Sequence, residues 1–215
     1  MTAISYKRTD NTAATFDLGM LVIQLDRYRT RLSDHIAQEY GNGRNHRSLL
    51  ILAALVHNLG KIQSSGNYIE ATITEVSELA KLLRLTNDEQ KRLLSAIKSY
   101  QEVLQRSDWS IIDLHRFWYT LGDNGIDAII LAVADYLGTV GAELVQLDWL
   151  IIVERVTILL DTYFNKYETI INPTLYLNGN DIMELLDLDG SPIIGQLLTM
   201  LREAQVTGDV SDLES

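Results

Sequence analysis

With 215 residues, 47% of them hydrophobic, the chain can bury a sizeable core, which excludes wholesale disorder. The absence of cysteine excludes disulfides and thiolate metal ligation, and residues 1–16 lack the apolar core of a secretory signal, so the expected compartment is the cytoplasm. The formal net charge of −11 divides unevenly: residues 1–107 hold 14 Lys+Arg against 11 Asp+Glu and the remainder 4 against 18, which confines any phosphate-binding surface to the first half.

Apolar periodicity predicts an all-α chain. Leu18, Leu21, Leu25, Tyr28, Leu32 and Ile36 predict a first helix over residues 15–40, stopped by Gly41-Asn42-Gly43. A second helix starts near Asn45 and carries Leu49, Leu52, Ala53 and Val56 toward His57-Asn58-Leu59-Gly60-Lys61. Beyond a Ser-Ser-Gly-Asn loop, a third covers residues 69–83. Thr86 and Glu89 have capping-box spacing and open a fourth helix to residue 105. Asp108 is expected to cap a short helix through Trp118, residues 122–125 break the chain, and further helices run to Tyr136 and over residues 143–167. The most apolar stretches, 126–140 and 147–160, contain Asp127, Asp135, Asp148, Glu154 and Arg155, which favours buried core helices over membrane spans.

Pro173 marks a boundary, giving a helical domain over 1–172 and a C-terminal helical tail over 173–215 packing on it. In that helix-turn-helix tail, Asn180 caps one helix and Ser191-Pro192 opens the next, with fraying expected from Gly208 onward. Among the basic residues of the first half, Arg27, Arg31, Arg44, Arg47, Lys91 and Arg92 are candidate RNA contacts; solvated helix faces are the competing reading.

The run Leu49-Leu50-Ile51-Leu52-Ala53-Ala54-Leu55-Val56-His57-Asn58-Leu59-Gly60-Lys61 resembles the core of the HD superfamily, in which an apolar helix ends in His-Asp, then an apolar residue, Gly and Lys. The resemblance implies an HD-like multi-helix bundle and metal-dependent phosphohydrolase chemistry. Adjacent imidazole and carboxylate at a helix end, a histidine on the preceding helix and a later aspartate would hold one or two divalent cations. His57 keeps its place, and Asp135, closing Ile129-Ile130-Leu131-Ala132-Val133-Ala134, is the candidate later acid, since an acid there is costly unless paired or ligated. Asn58 replaces the carboxylate with a weaker neutral ligand. Counting back across the 41–43 turn puts the upstream ligand between residues 20 and 28, which offer Gln24 and Asp26 but no histidine. His46 shares a helical face with His57 but lies roughly 16 Å away at about 1.5 Å per residue. His35 is expected near the opposite end of the hairpin, and His115 reads as a surface or packing residue.

Three separated elements of the tail extend the resemblance: Gly179-Asn180-Asp181-Ile182-Met183, then Asp189-Gly190-Ser191-Pro192-Ile193-Ile194-Gly195, then Ala204-Gln205-Val206-Thr207-Gly208. They are similar to the tail of bacterial tRNA nucleotidyltransferase/poly(A) polymerase family proteins that carry an HD region, and Gly195 is expected to let the paired helices approach closely. The chain departs from that family in two respects. It has no Gly-Ser turn followed by Asp-x-Asp, so the nucleotidyltransferase head is absent. Where relatives with an active HD region carry Gly-His-Glu and His-His, it reads Ala71-Thr72-Ile73 and Lys98-Ser99-Tyr100.

The resemblance therefore implies a non-catalytic HD-like module of that family, acting in RNA or protein contact. The expected partners are tRNA or other RNA, or a nucleotidyltransferase head protein, with a homodimer as a further option, no membrane and no cofactor. Two alternatives stay open. One is a phosphohydrolase with an altered ligand set, in which His57, Asn58 and Asp135 hold Mg, Mn, Fe or Zn and Lys61 sits near the substrate phosphate. The other is an acidic helical interaction protein unrelated to RNA. Whether the chain is an enzyme is left open, with inactivity on its own the favoured expectation.

Overall fold

The computed structural model describes residues 24–62, 68–187 and 189–211. The start of the predicted first helix, the loop before the third helix and the last four residues of the stretch expected to fray lie outside them. Contacts divide the chain into two units, residues 1–104 with 126–157, and residues 105–125 with 158–215. Among the described residues there is no strand, and the one isolated bridge joins Glu39 to Asn45.

In the first unit residues 24–26 are helical, and after a turn at 27–28 comes α1 (Arg29–Ala37), which ends three residues before the expected residue 40. Beyond Ala37 the backbone takes its partners from a tight hairpin, with the His46 amide on the Gln38 carbonyl at 3.0 Å and the Tyr40 amide on the Arg44 carbonyl at 2.6 Å. Gly43 closes that hairpin at φ +78°, a conformation glycine adopts without strain. Asn45 caps α2 (His46–Val56) by accepting from the Ser48 amide at 3.0 Å. A 3₁₀ turn (Leu59–Ile62) follows, then α3 (Tyr68–Leu82) and α4 (Asn87–Gln105). The capping box at Thr86 and Glu89 is present in both directions, at 2.6 and 3.3 Å. The unit continues in most of α6 (Asn124–Val140) and the first half of α7 (Gln146–Asn165).

Its core is built from residues spaced by three and four. Leu49, Ala53 and Val56 come from α2, and Leu93, Ala96, Ile97, Tyr100 and Val103 from α4. Ile126, Ile129, Leu131 and Ala132 come from α6 and Trp149, Ile152, Val153 and Val156 from α7, all buried. At about 1.5–3 kcal/mol for each fully buried large apolar side chain, these four rows are the main source of this unit's stability.

The second unit contains α5 (Ile111–Leu121), a π-helical turn (Tyr167–Ile171), α8 (Gly179–Leu186) and α9 (Pro192–Thr207). Ser110 rather than Asp108 caps α5, because Ser110 and Asp113 can form a reciprocal box. Asn178 rather than Asn180 caps α8, accepting from the Asn180 and Asp181 amides at 2.8 and 3.2 Å. Pro192 occupies the first turn of α9, and Gly208 ends it at φ +82°. Gly195 does not mediate a close approach, since a Cβ there would meet nothing within 4 Å; Gly125 does, as its Cβ would fall 2.6 Å from the Trp118 ring. Arg116 holds Glu203 through two bonds at 2.8 and 2.7 Å, tying α5 to α9. No helix among the described residues is long and apolar enough to cross a membrane.

Candidate functional site

The structure brings together the residues expected to mark a site. His57 sits at the C-terminal end of α2, where its Nδ1 lies 2.9 Å from the carbonyl of Ala54, one turn back in its own helix. That contact aims Nε2 toward α6, and Asp135 Oδ1 stands 2.8 Å from it. Nδ1 therefore faces an acceptor oxygen, while Nε2 lies between an acceptor, Asp135 Oδ1, and a donor, the Asn58 amide nitrogen. The Asn58 side-chain amide reaches His57 Nε2 at 2.8 Å from one end and the Tyr100 hydroxyl at 3.4 Å from the other. Of the pair, His57 is 12% and Asp135 18% exposed, so water screens their attraction only in part.

Two tyrosines complete the cluster. Tyr100, fully buried on α4, meets the His57 ring edge-on with centroids 5.3 Å apart, and its hydroxyl lies 3.0 Å from that of Tyr68 on α3. Gln101 donates to the Tyr68 hydroxyl. Burial, the Tyr68 hydroxyl and the charge of Asp135 push the Tyr100 phenol well above the usual range, so it remains a neutral hydroxyl. The exposed Lys61 extends its ammonium over the Tyr68 ring at 4.8 Å. Gly60 allows this geometry: its amide donates to Thr72 Oγ1 at 2.9 Å, and a Cβ would stand 2.3 Å from the Tyr68 carbonyl oxygen. Thr72 in turn donates to that carbonyl at 2.8 Å, which locks the start of α3 under the motif.

A second polar cluster lies two turns away on the same helices. Asp127, eight residues before Asp135 on α6, accepts from Arg92, eight residues before Tyr100 on α4, at 2.5 Å. His35 of α1 adds its Nε2 to Asp127 at 3.0 Å, and the His46 ring packs edge-on against the His35 ring at 4.9 Å. All four residues are buried. Arg92, expected on an exposed basic face, is thus committed to the interior, where a buried aspartate must have a partner. Arg44 is likewise engaged, with its Nε 2.9 Å from Glu89 and its two other nitrogens on the Leu83 and Arg84 carbonyls. Arg27, Arg31, Arg47 and Lys91 are exposed. His115, in the second unit, is a buried packing residue with Nδ1 2.6 Å from the Ile170 carbonyl.

Sequence reasoning missed Tyr68, Gln101 and the role of Tyr100, as well as the His35–Asp127–Arg92 group. Asp127 carried a usable signal, an acid set among Ile126, Ala128 and Ile129. For the tyrosines the sequence showed only that histidines were missing.

The family model for the HD domain matches residues 30–139, just over half of the chain. The chain belongs to the HD domain family. That match spans α1 to α6 and contains His57, Asn58, Tyr68, Tyr100 and Asp135. No curated protein and no solved structure matches the chain.

HD domains usually bind divalent cations, and the donors around His57 do not fit a two-cation centre. They comprise one imidazole nitrogen, one carboxylate and one neutral amide, while the neighbouring hydroxyls of Tyr68 and Tyr100 are bonded to each other and Tyr100 is held protonated. One carboxylate and one imidazole nitrogen leave most positions around two cations unfilled, since each takes about six ligands.

Proposed function

We propose that this chain is a non-catalytic HD module, a relative of the C-terminal part of the tRNA nucleotidyltransferase/poly(A) polymerase family, that works by contact with RNA. The observation that carries the non-catalytic reading is the closed hydrogen-bonded set at His57: its two nitrogens meet the Ala54 carbonyl and Asp135, and Asn58 and the paired tyrosines supply no further charge. Such a set braces the ends of α2, α4 and α6 instead of activating water.

Support for the family assignment comes from the tail, where the motif residues have structural work. Asp181 closes the capping box of α8, Pro192 starts α9, and Gln205 accepts from the Tyr176 amide and donates to the Thr174 carbonyl, both at 3.1 Å. Support for RNA contact is the exposed set Arg27, Arg31, Arg47 and Lys91 on a half that is net positive.

The test is a gel shift with tRNA at about 50 mM salt, where several phosphate contacts should give strong binding. It is combined with metal analysis and a phosphohydrolase assay on the same purified chain. A shift that weakens in Arg31→Ala/Arg47→Ala, with no hydrolysis, fits this reading. Stoichiometric metal with hydrolysis supports a hydrolase with an altered ligand set, and absence of any shift supports an acidic interaction protein unrelated to RNA.

A further inference from the structure

We propose that this chain assembles with copies of itself, through crossed contact between the outer face of α2 in one copy and the outer face of α7 in another. The proposal goes beyond RNA contact and needs no RNA; Arg47 is the one residue common to both.

The make-up of the two helices is the first reason. Residues 49–56 of α2 form an unbroken apolar run, and a helix apolar on every side is ordinarily covered on every side. Leu49, Ala53 and Val56 are buried, yet Ile51 and Leu55, one turn apart on the other face, are 53% and 75% exposed. The first half of α7 repeats the arrangement. Trp149, Ile152 and Val153 are buried, while Leu147, with Leu150 and Ile151 three and four residues on, stands at the surface, 67% exposed. Scattered exposed leucines are ordinary, but rows at helical spacing on the backs of two core helices are faces built to be covered.

Charge decides which face meets which. Arg47 lies one turn before Ile51 and Lys61 follows the end of the helix; both are exposed, and α2 has no acidic residue. Exposed Asp148 and Glu154 flank the α7 row. Pairing α2 with α2 would set Arg47 and Lys61 against their own kind, and α7 with α7 would do the same to Asp148 and Glu154. Of the three pairings, the crossed one alone buries apolar rows on both sides and brings opposite charges to the rim. The contact closes if two copies use it twice, and otherwise continues as a ring or an open chain. With a few side chains per face, it belongs among weak, concentration-dependent interfaces.

The experiment is sedimentation equilibrium of nuclease-treated protein over about 10–500 μM, the range in which weak interfaces form. Compared are the unaltered chain, Leu55→Glu, Leu147→Ser/Ile151→Ser, and an equimolar mixture of the two variants. Circular dichroism checks that each is folded, and Ile51→Glu or Leu147→Ser alone stands in for one that is not. The unaltered chain should reach the mass of a dimer or more. Each variant alone should stay monomeric, its self-association weakened at least about tenfold. The mixture should recover a pair, because one variant keeps its α7 face and the other its α2 face. An unaltered chain that is monomeric throughout overturns the proposal. So does either variant associating as the unaltered chain does, or a mixture that stays monomeric, and none of these results bears on RNA contact.

Discussion

His57 Nε2 lies 2.8 Å from Asp135 Oδ1, joining residues 78 apart in the chain and fixing the end of α2 against α6. A hydrogen-bonded pair this poorly exposed should be strongly coupled. In a double-mutant cycle of His57→Ala and Asp135→Ala, the single changes should each cost about 1–3 kcal/mol and the double less than their sum. Urea denaturation monitored by tryptophan fluorescence measures all three, and strict additivity would show that the bond contributes nothing.

Arg92 and Asp127 should behave more severely. Breaking a buried ion pair from one side leaves an uncompensated charge, so Arg92→Met or Asp127→Leu alone should cost about 3–5 kcal/mol. Removing both charges together should recover much of that loss. The same denaturation experiment decides it, and a double variant as unstable as the singles would assign the cluster a role beyond charge compensation.

Glu89 gives a pH dependence. Burial pushes its carboxyl up, but hydrogen bonds from Asn42 and Thr86 and the Arg44 charge outweigh it, so the folded value lies below the ordinary 4.5. A depressed folded value means the unfolded chain takes up protons first. The stabilisation is therefore complete above about pH 4.5 and is lost as pH falls through the folded value. Glu89→Gln should be less stable than the unaltered chain at pH 7, and the gap should close toward pH 3. Melting temperatures of the two proteins across that range check it; a constant gap would contradict the shift.

Gly60→Ala should be destabilising out of proportion to one methyl group, by about 2 kcal/mol or more. Its Cβ would stand 2.3 Å from the Tyr68 oxygen and 2.5 Å from the Thr72 nitrogen, both backbone atoms that cannot swing aside. Gly195→Ala, with nothing within 4 Å of its Cβ, should be neutral or slightly stabilising, since alanine favours a helix interior. A thermal melt of each variant separates the two cases.

Much of the architecture was legible because helices write their period and caps into the chain. The row of Leu49, Ala53 and Val56 gave the inner face of α2, and Asn45 and the Thr86–Glu89 box gave two starts. Caps at Ser110 and Asn178 were misplaced by two residues because several hydrogen-bonding side chains compete at each end and only geometry picks the reciprocal pair. The first helix was drawn three residues too far at its C-terminal end because the 38–46 hairpin, which apolar spacing does not reveal, takes over the backbone bonds there. At the site, His57, Asn58 and Asp135 were visible as a damaged motif. The partners of His35 were not, because pairing across 92 residues depends on packing that no local pattern encodes.

Gly60 explains why the His-Asn-x-Gly-Lys pattern is still readable in a chain whose ligand set is depleted. The glycine answers to a backbone held against it by Thr72, not to an ion, and it would be demanded whether or not catalysis persisted. Letters of a motif can thus have separate owners, some held by steric fit and some by chemistry. In this chain the sterically owned letter is intact and a chemically owned one has changed, so a motif scan that weighs both alike cannot tell a working site from its frame.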